Sequence, residues 1–394
     1  MRTFHALLAG PFAALTLAAA ATAQTTSAPT AEDYRQDALA LPSLIEEQYA
    51  YVERLPGGVF PNTDVLKSEA EAVHDQAGLL RYAEHALIAL ADHHAITGSS
   101  FSDSWAVTPS YSDLWIEPQG QAWLITDVRA NSPATNAGVR PGDRLTAVGD
   151  QTTAQAVVAF WREIGMSAEG DRAGYAARVL AAGRRDRPRD LTITAVDGTA
   201  RRLSLPSLYT VQRHRPVVES RLDDGALIVR INDALGDRAT ITAFDAALAT
   251  ATEGQTIVID LTETPSGGNT VVARAIMGWF VDAPAAYQIH SLPAEARETG
   301  IERRWIEQVL PRPGKRHHGP VEVRVGRWTG SMGEGLAIGL HAQGARIVGQ
   351  PMASLLGAIY DLRLPRTGLV VKIPVERLYA ADGTPREQFR PAPK

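Results

Sequence analysis

Gly326-Arg327-Trp328-Thr329-Gly330-Ser331-Met332-Gly333-Glu334-Gly335 is preceded by the alternating apolar run Val321 to Val325 and followed by the small-residue helical pattern Leu336 to Leu340. That order predicts a strand, a tight turn and a helix. A serine on such a turn holds its hydroxyl clear of the sheet, and the first N–H groups of the helix point at any negative charge that develops there. The same pattern also fits a plain helix cap, in which the serine only satisfies a backbone N–H. The surroundings of the turn decide between the two.

Around this turn, strands and helices alternate from about residue 207. Ala226 to Ile231 reads as a strand and Ala239 to Ala251 as a helix. Thr256 to Leu261 is a continuous apolar run, as in a strand covered on both faces. Thr270 to Val281 reads as a helix, Ser331 to Ala342 as another, and Arg346 to Gly349 as a strand. This alternation predicts layered β and α structure, an α/β class for this part.

Upstream the period is two. Ala122 to Val128 is a strand, and Asn131-Ser132-Pro133-Ala134 turns into a short helix ending at Gly138. Val139-Arg140-Pro141-Gly142-Asp143 then makes a turn into the strand Arg144 to Val148. Strands at Leu191 to Val196 and Arg201 to Leu205 close this module, placed at 105–206. Before it, Ala31 to Arg54 and Asp64 to His94 carry apolar residues at helical spacing, with Asp64 as a cap, and 24–104 is read as a helical region. Residues 1–23 have the form of a signal peptide: Arg2, an apolar core from Ala6 to Ala21, and Ala21-Thr22-Ala23 as cleavage site.

The bulk properties narrow the function. The 394 residues carry a formal net charge of −5, which argues against nucleic acid or an anionic membrane as partner. There is no cysteine, hence no thiol nucleophile and no disulfide framework. Export without disulfides points to a bacterial periplasm, and no later segment has the length and apolarity of a transmembrane span. The pairs His93-His94 and His317-His318 diverge as adjacent residues do, so no metal is expected, and no cofactor motif is present.

Two resemblances follow. The Ser132-Pro133-Ala134 to Asp150 block resembles a PDZ domain. Together, the leader, helical region, PDZ-like module and layered domain resemble the C-terminal-processing and tricorn-type serine peptidases, whose catalytic domain is crotonase-like. The motifs that carry this are Ile257 to Gly268, Thr329-Gly330-Ser331-Met332-Gly333-Glu334, Asp92-His93-His94 and Gly383-Thr384-Pro385-Arg386-Glu387. The resemblance implies a crotonase-like serine peptidase domain at 207–394. Ser331 would be the nucleophile. The N–H of Met332, with that of Gly267 or Gly268, would form the oxyanion hole. An ordinary turn at Gly267-Gly268 is the plainer alternative. Thr262 and Thr264 stand where the family has arginine and asparagine.

The family lysine is missing. Leu355 occupies its place, and the only lysines after residue 328 are Lys372 and Lys394. The tricorn-like branch uses a histidine instead, which implies His94 as general base and Glu387 as its orienter, with His93 where that branch has a serine. For His94 the alternative is a residue at a helix C-terminus. Glu334 is expected to anchor the turn, and Asp92 to cap or pair. The function implied is hydrolysis of peptide bonds in polypeptides that are unfolded or have exposed termini, recruited by strand addition to the PDZ-like module. A non-catalytic peptide- or ligand-binding protein on the same fold is the alternative.

Overall fold

In the computed structural model, residues 28–211 and 214–393 are described; the leader read at 1–23 lies outside them. Among these residues the strands form three sheets.

The sheet that positions the serine turn runs Arg346–Gly349, Val321–Val325, Ile257–Asp260, Ala226–Ile231, Val218–Asp223. Its first four strands are parallel, with Ile259 opposite both Val323 and Val229. Ile257–Asp260 is central and buried throughout, which is why it reads as an unbroken apolar run rather than an alternation. The helices Ala239–Leu248, Thr270–Met277 and Met332–Ala342 pack their apolar faces into one core with this sheet.

A second sheet joins distant parts of the chain. The strand Val370–Tyr379 pairs with Ile96–Thr97, Ala358–Arg363 and Ala285–Ser291, and Arg304–Val309 lies beyond the last of these. Ile96 stands opposite Lys372, so this sheet brings the segment after the N-terminal helices beside the C-terminal strands.

The third sheet runs Leu114–Gln119, Ala122–Val128, Arg144–Val148, Arg189–Thr194, Ala200–Leu205. Ser132 caps the short helix Pro133–Asn136, and Gly138 follows it at φ +76°. Helices Thr153–Arg162 and Asp171–Ala182, which the sequence pattern does not predict, cover this sheet. Helix Asp171–Ala182 lies against the edge strand Leu114–Gln119, where Arg178 donates to the Ile116 carbonyl at 3.2 Å. The N-terminal helices Ala31–Gln48, Asp64–Ala72 and Gln76–Ile88 share one core with this sheet and with Val371, Ile373 and Val375.

The N-terminal segment differs from expectation in detail. The second long helix is two helices, because Asp75 caps a new start by accepting the Gly78 N–H. Thr63, not Asp64, caps the first of these, its hydroxyl accepting the Leu66 N–H. No helix of the described residues is long and apolar enough to cross a membrane.

Candidate active site

Ser331 sits immediately before helix Met332–Ala342 with φ +50° and ψ −116°. A non-glycine residue there costs about 1–3 kcal/mol and persists only when its surroundings enforce it. They do so through Glu334, which is fully buried. Its carboxylate accepts the N–H of Ser331 at 2.9 Å, of Ser354 at 2.8 Å and of Leu355 at 3.2 Å. Burial pushes the Glu334 pKa up to about 7, while Arg386 and the three N–H donors pull it down. Glu334 thus anchors the turn and ties to it the loop that follows strand Arg346–Gly349. The Ala353 N–H to Thr329 carbonyl bond, 3.0 Å, adds a second tie.

That loop carries the backbone group that matters most. His94 lies six residues past the end of helix Gln76–Ile88, so it is not a helix-end residue. Its Nδ1 is 2.6 Å from the Leu356 carbonyl and its Nε2 is 3.0 Å from Oγ of Ser331. A carbonyl can only accept, so Nδ1 carries the proton and Nε2 presents its lone pair to the serine hydroxyl. The ring is 7% exposed. Burial first, and the Arg386 charge second, lower its pKa to about 4.

The chain holds His94 from its other side as well. Asp92 accepts the His94 N–H at 2.8 Å and the Tyr49 hydroxyl at 2.9 Å. Burial raises the Asp92 pKa to about 6. His93 points elsewhere: it stacks on Tyr175, its Nε2 accepts from Arg178 at 2.9 Å, and burial drives its pKa well down.

The Gly-Gly loop meets the turn. Thr264 and the serine turn exchange backbone bonds, the Thr264 N–H to the Trp328 carbonyl at 2.9 Å and the Gly330 N–H to the Thr264 carbonyl at 3.1 Å. Asp233 accepts both the N–H and the hydroxyl of Ser266 at 2.8 Å. These contacts support the loop that carries threonines in place of the family arginine and asparagine. Gly267 has φ +68°, and a Cβ there would lie 2.5 Å from Cβ of Ser331, 2.7 Å from the Met332 nitrogen and 2.9 Å from Oγ of Ser331. The space left by the missing side chain therefore adjoins both the hydroxyl and an N–H that, as the first of its helix, has no intrahelical partner. Gly268 packs instead on the Leu235–Gly236 backbone.

Of the residues singled out in the sequence, Ser331, His94, Met332 and Gly267 come together, with Gly268 beside them. Glu387 does not join them. It lies in the short turn Arg386–Gln388, on the side of Tyr51 and Asp92, and the contact expected of it on Nδ1 of His94 is made by the Leu356 carbonyl. Leu355 is buried with Trp115, Trp328 and Ala353 and offers no proton acceptor. Lys372 pairs with Asp361 at 2.9 Å in the second sheet. Sequence reasoning missed Leu356 and Arg386. A backbone carbonyl leaves no mark in a sequence, and in the sequence Arg386 is only the neighbour of Glu387.

A PDZ domain family model matches residues 124–159. No curated protein matches the sequence. Among solved structures, mature CPAF complexed with lactacystin is similar at 15% identity, over 92% of this chain and 94% of that one, with a TM-score of 0.55. The photosystem II D1 C-terminal processing protease is similar at 17% identity, over 92% and 93% of the two chains, with a TM-score of 0.57. With a PDZ module set before a layered βα domain, the chain shares, over nearly its whole described length, the fold of mature CPAF and of the D1 C-terminal processing protease.

Proposed function

We propose that this protein is an exported serine peptidase that cleaves polypeptides with Ser331 as nucleophile and His94 as base. The observation that carries the proposal is the 3.0 Å contact from His94 Nε2 to Oγ of Ser331 in a ring whose other nitrogen is already committed to a carbonyl. The Ser/His pairing is this chain's substitute for the lysine that Leu355 replaces. Export rests on the reading of residues 1–23.

In the first step Oγ attacks the scissile carbonyl carbon and its proton passes to Nε2 of His94. The oxyanion receives the Met332 N–H and that of Gly267 or Gly268, each worth roughly 3 kcal/mol of barrier. The tetrahedral species collapses as the C–N bond breaks, and the imidazolium returns its proton to the leaving amine nitrogen. Water then attacks the acyl ester with His94 again taking a proton, and Ser331 is regenerated. Glu334 holds the turn and transfers no proton.

Peptide recruitment by the PDZ module would use an open strand edge. Leu114–Gln119 is covered by helix Asp171–Ala182 and Arg178, whereas Ala200–Leu205 is the edge with alternate residues exposed. A non-catalytic ligand-binding role is favoured by one observation: the group on Nδ1 of His94 is the Leu356 carbonyl rather than a carboxylate.

A fluorophosphonate probe separates the two readings. It should label the wild-type protein at Ser331, and Ser331→Ala should lose both labelling and casein cleavage while keeping its thermal midpoint. Absence of labelling in folded wild type, or unchanged casein turnover in Ser331→Ala, would refute the peptidase reading.

A further inference from the structure

Arg386 was not among the residues read as functional, yet it is 3% exposed and reaches the catalytic loop. One terminal nitrogen of its guanidinium donates to the Leu355 carbonyl at 2.9 Å and to the Gly357 carbonyl at 2.7 Å. Between those carbonyls lies the peptide plane bearing the Leu356 carbonyl, the one that accepts Nδ1–H of His94. Two neighbouring planes held on one nitrogen leave the plane between them little freedom to rotate. Gly357 completes the bend at φ +47°, where a Cβ would run into the Glu376 carbonyl. Arg386 Nε is buried without a partner of its own, a cost that packing alone does not explain.

We propose that Arg386 is the positioning residue of this site: by gripping the carbonyls of Leu355 and Gly357 it aims the Leu356 carbonyl at His94 and so fixes the tautomer whose Nε2 can take the Ser331 proton. The proposal rests on the Ser331–His94 reading for its consequence, but the tautomer it predicts exists whether or not the protein hydrolyses anything.

The charged surroundings support it. The groups around His94 are Ser331 and Glu334 from the serine turn, Asp92 from its own loop, Tyr49 behind Asp92, and Arg386 with Glu387 from the C-terminal turn. Tyr51 and Arg54 stand on the Asp92 side. Arg386 is the one whose charge acts on the imidazole to disfavour its protonated form, adding to burial. It therefore serves twice, through geometry and through charge, and touches no reacting atom.

The test uses the full chain with its histidines labelled with nitrogen-15, and His94 assigned from the His94→Gln difference. Ring nitrogen shifts give the tautomer, and their pH dependence gives the titration midpoint. In wild type His94 should be the Nδ1–H form above about pH 5. Arg386→Met should mix the two tautomers, move the midpoint upward by about one unit or more, and cut fluorophosphonate labelling at least about tenfold. Arg386→Lys, which keeps the charge and a donor, should recover part of the labelling and keep the low midpoint. A folded Arg386→Met protein with the wild-type tautomer, midpoint and labelling overturns the proposal. Should that variant fail to fold, Arg386→Gln, too short to grip both carbonyls, takes its place with the same readings. Failure of both to fold also overturns it, since Arg386 would then belong to the fold rather than the site. A wild type with the expected tautomer but no labelling removes the peptidase reading and leaves this inference standing; labelling with a tautomer insensitive to residue 386 does the reverse.

Discussion

Lowering the pH across His94 should leave the site competent far below the range in which histidine ordinarily titrates. Burial and the Arg386 charge set its pKa at about 4 against an ordinary 6.5, a gap equivalent to about 3 kcal/mol between protonation states. At pH 5.5 about 97% of His94 would then be neutral, against about 9% for an unperturbed ring. Labelling of Ser331 by a fluorophosphonate at pH 5.5 should therefore stand within about a tenth of its His94-limited plateau, rather than about tenfold below it. The assay is the second-order labelling rate from pH 4 to 8, restricted to the range where circular dichroism shows the native fold. Two other buried groups titrate higher, Glu334 at about 7 and Asp92 at about 6, so the series is repeated in Glu334→Gln and Asp92→Asn. An inflection that belongs to those groups disappears with them. An inflection near pH 6.5 that survives in both variants would refute the placement of His94 as a desolvated base. The linkage carries a stability signature too. A depressed folded-state pKa means that the His94 contribution is present above pH 6.5 and is lost as pH falls towards 4. Glu334 runs the other way: its contribution is full below pH 4.5 and lost as pH rises through 7.

Gly267→Ala should cost roughly 1–2 kcal/mol from the positive φ alone, and its methyl would fill the space beside Oγ of Ser331 and the Met332 N–H, so labelling should fall by about 100-fold or more; near-normal labelling would place the oxyanion elsewhere. Leu355→Lys should not increase labelling, because His94 already holds the serine hydroxyl, and burying an ammonium against Trp115 and Trp328 should lower stability by about 2–4 kcal/mol in urea unfolding. A gain in labelling would show that the family lysine position is still open to use. Asp113→Asn breaks a pair with Arg189 in which the side chains are 0% and 1% exposed and the nitrogen–oxygen distance is 2.6 Å, so it should destabilise by about 3–5 kcal/mol without altering the labelling pH profile.

How much of this was legible in the sequence depended on how far each feature was local. Strand Val321–Val325, the serine turn and helix Met332–Ala342 follow from a contiguous pattern, and the buried central strand from an unbroken apolar run. The turn chemistry of Ser132-Pro133 and Gly138 likewise carried the PDZ module. What failed to show was assembled from a distance. The strands Ala285–Ser291 and Arg304–Val309 alternate with too few apolar residues, because Arg304–Val309 is a sheet edge exposed on one face. Helix Asp171–Ala182 hides its register in alanines and arginines. At the site, the Asp92-His93-His94 motif pointed to the histidine whose Nε2 lies 3.0 Å from Oγ of Ser331, and its carboxylate accepts the His94 N–H. The orienter was assigned to Glu387 because sequence motifs consist of side chains, whereas the group found there is the main-chain carbonyl of Leu356.

That exchange of a carboxylate for a carbonyl has a chemical consequence. An orienter behind a catalytic histidine does two things: it selects the tautomer, and it stabilises the imidazolium formed when the serine proton arrives. A carbonyl dipole does the first as well as a carboxylate, because it is an obligate acceptor. It does the second less well, since it brings no negative charge to a ring that is itself buried. The neighbouring Arg386 charge opposes the imidazolium further. On the proposed Ser331–His94 reading the base is therefore weak at rest, and a charge that would raise its basicity during reaction is the oxyanion, which forms only when a carbonyl substrate lies between Ser331 and the Met332 N–H. Such a site should be slow towards small activated esters and gain most from substrates whose remote contacts pin the scissile bond in place. On that reasoning a PDZ module that holds the peptide would bear on catalysis as well as recruitment. A base this weak leaves the rate to be set by how well the peptide is held.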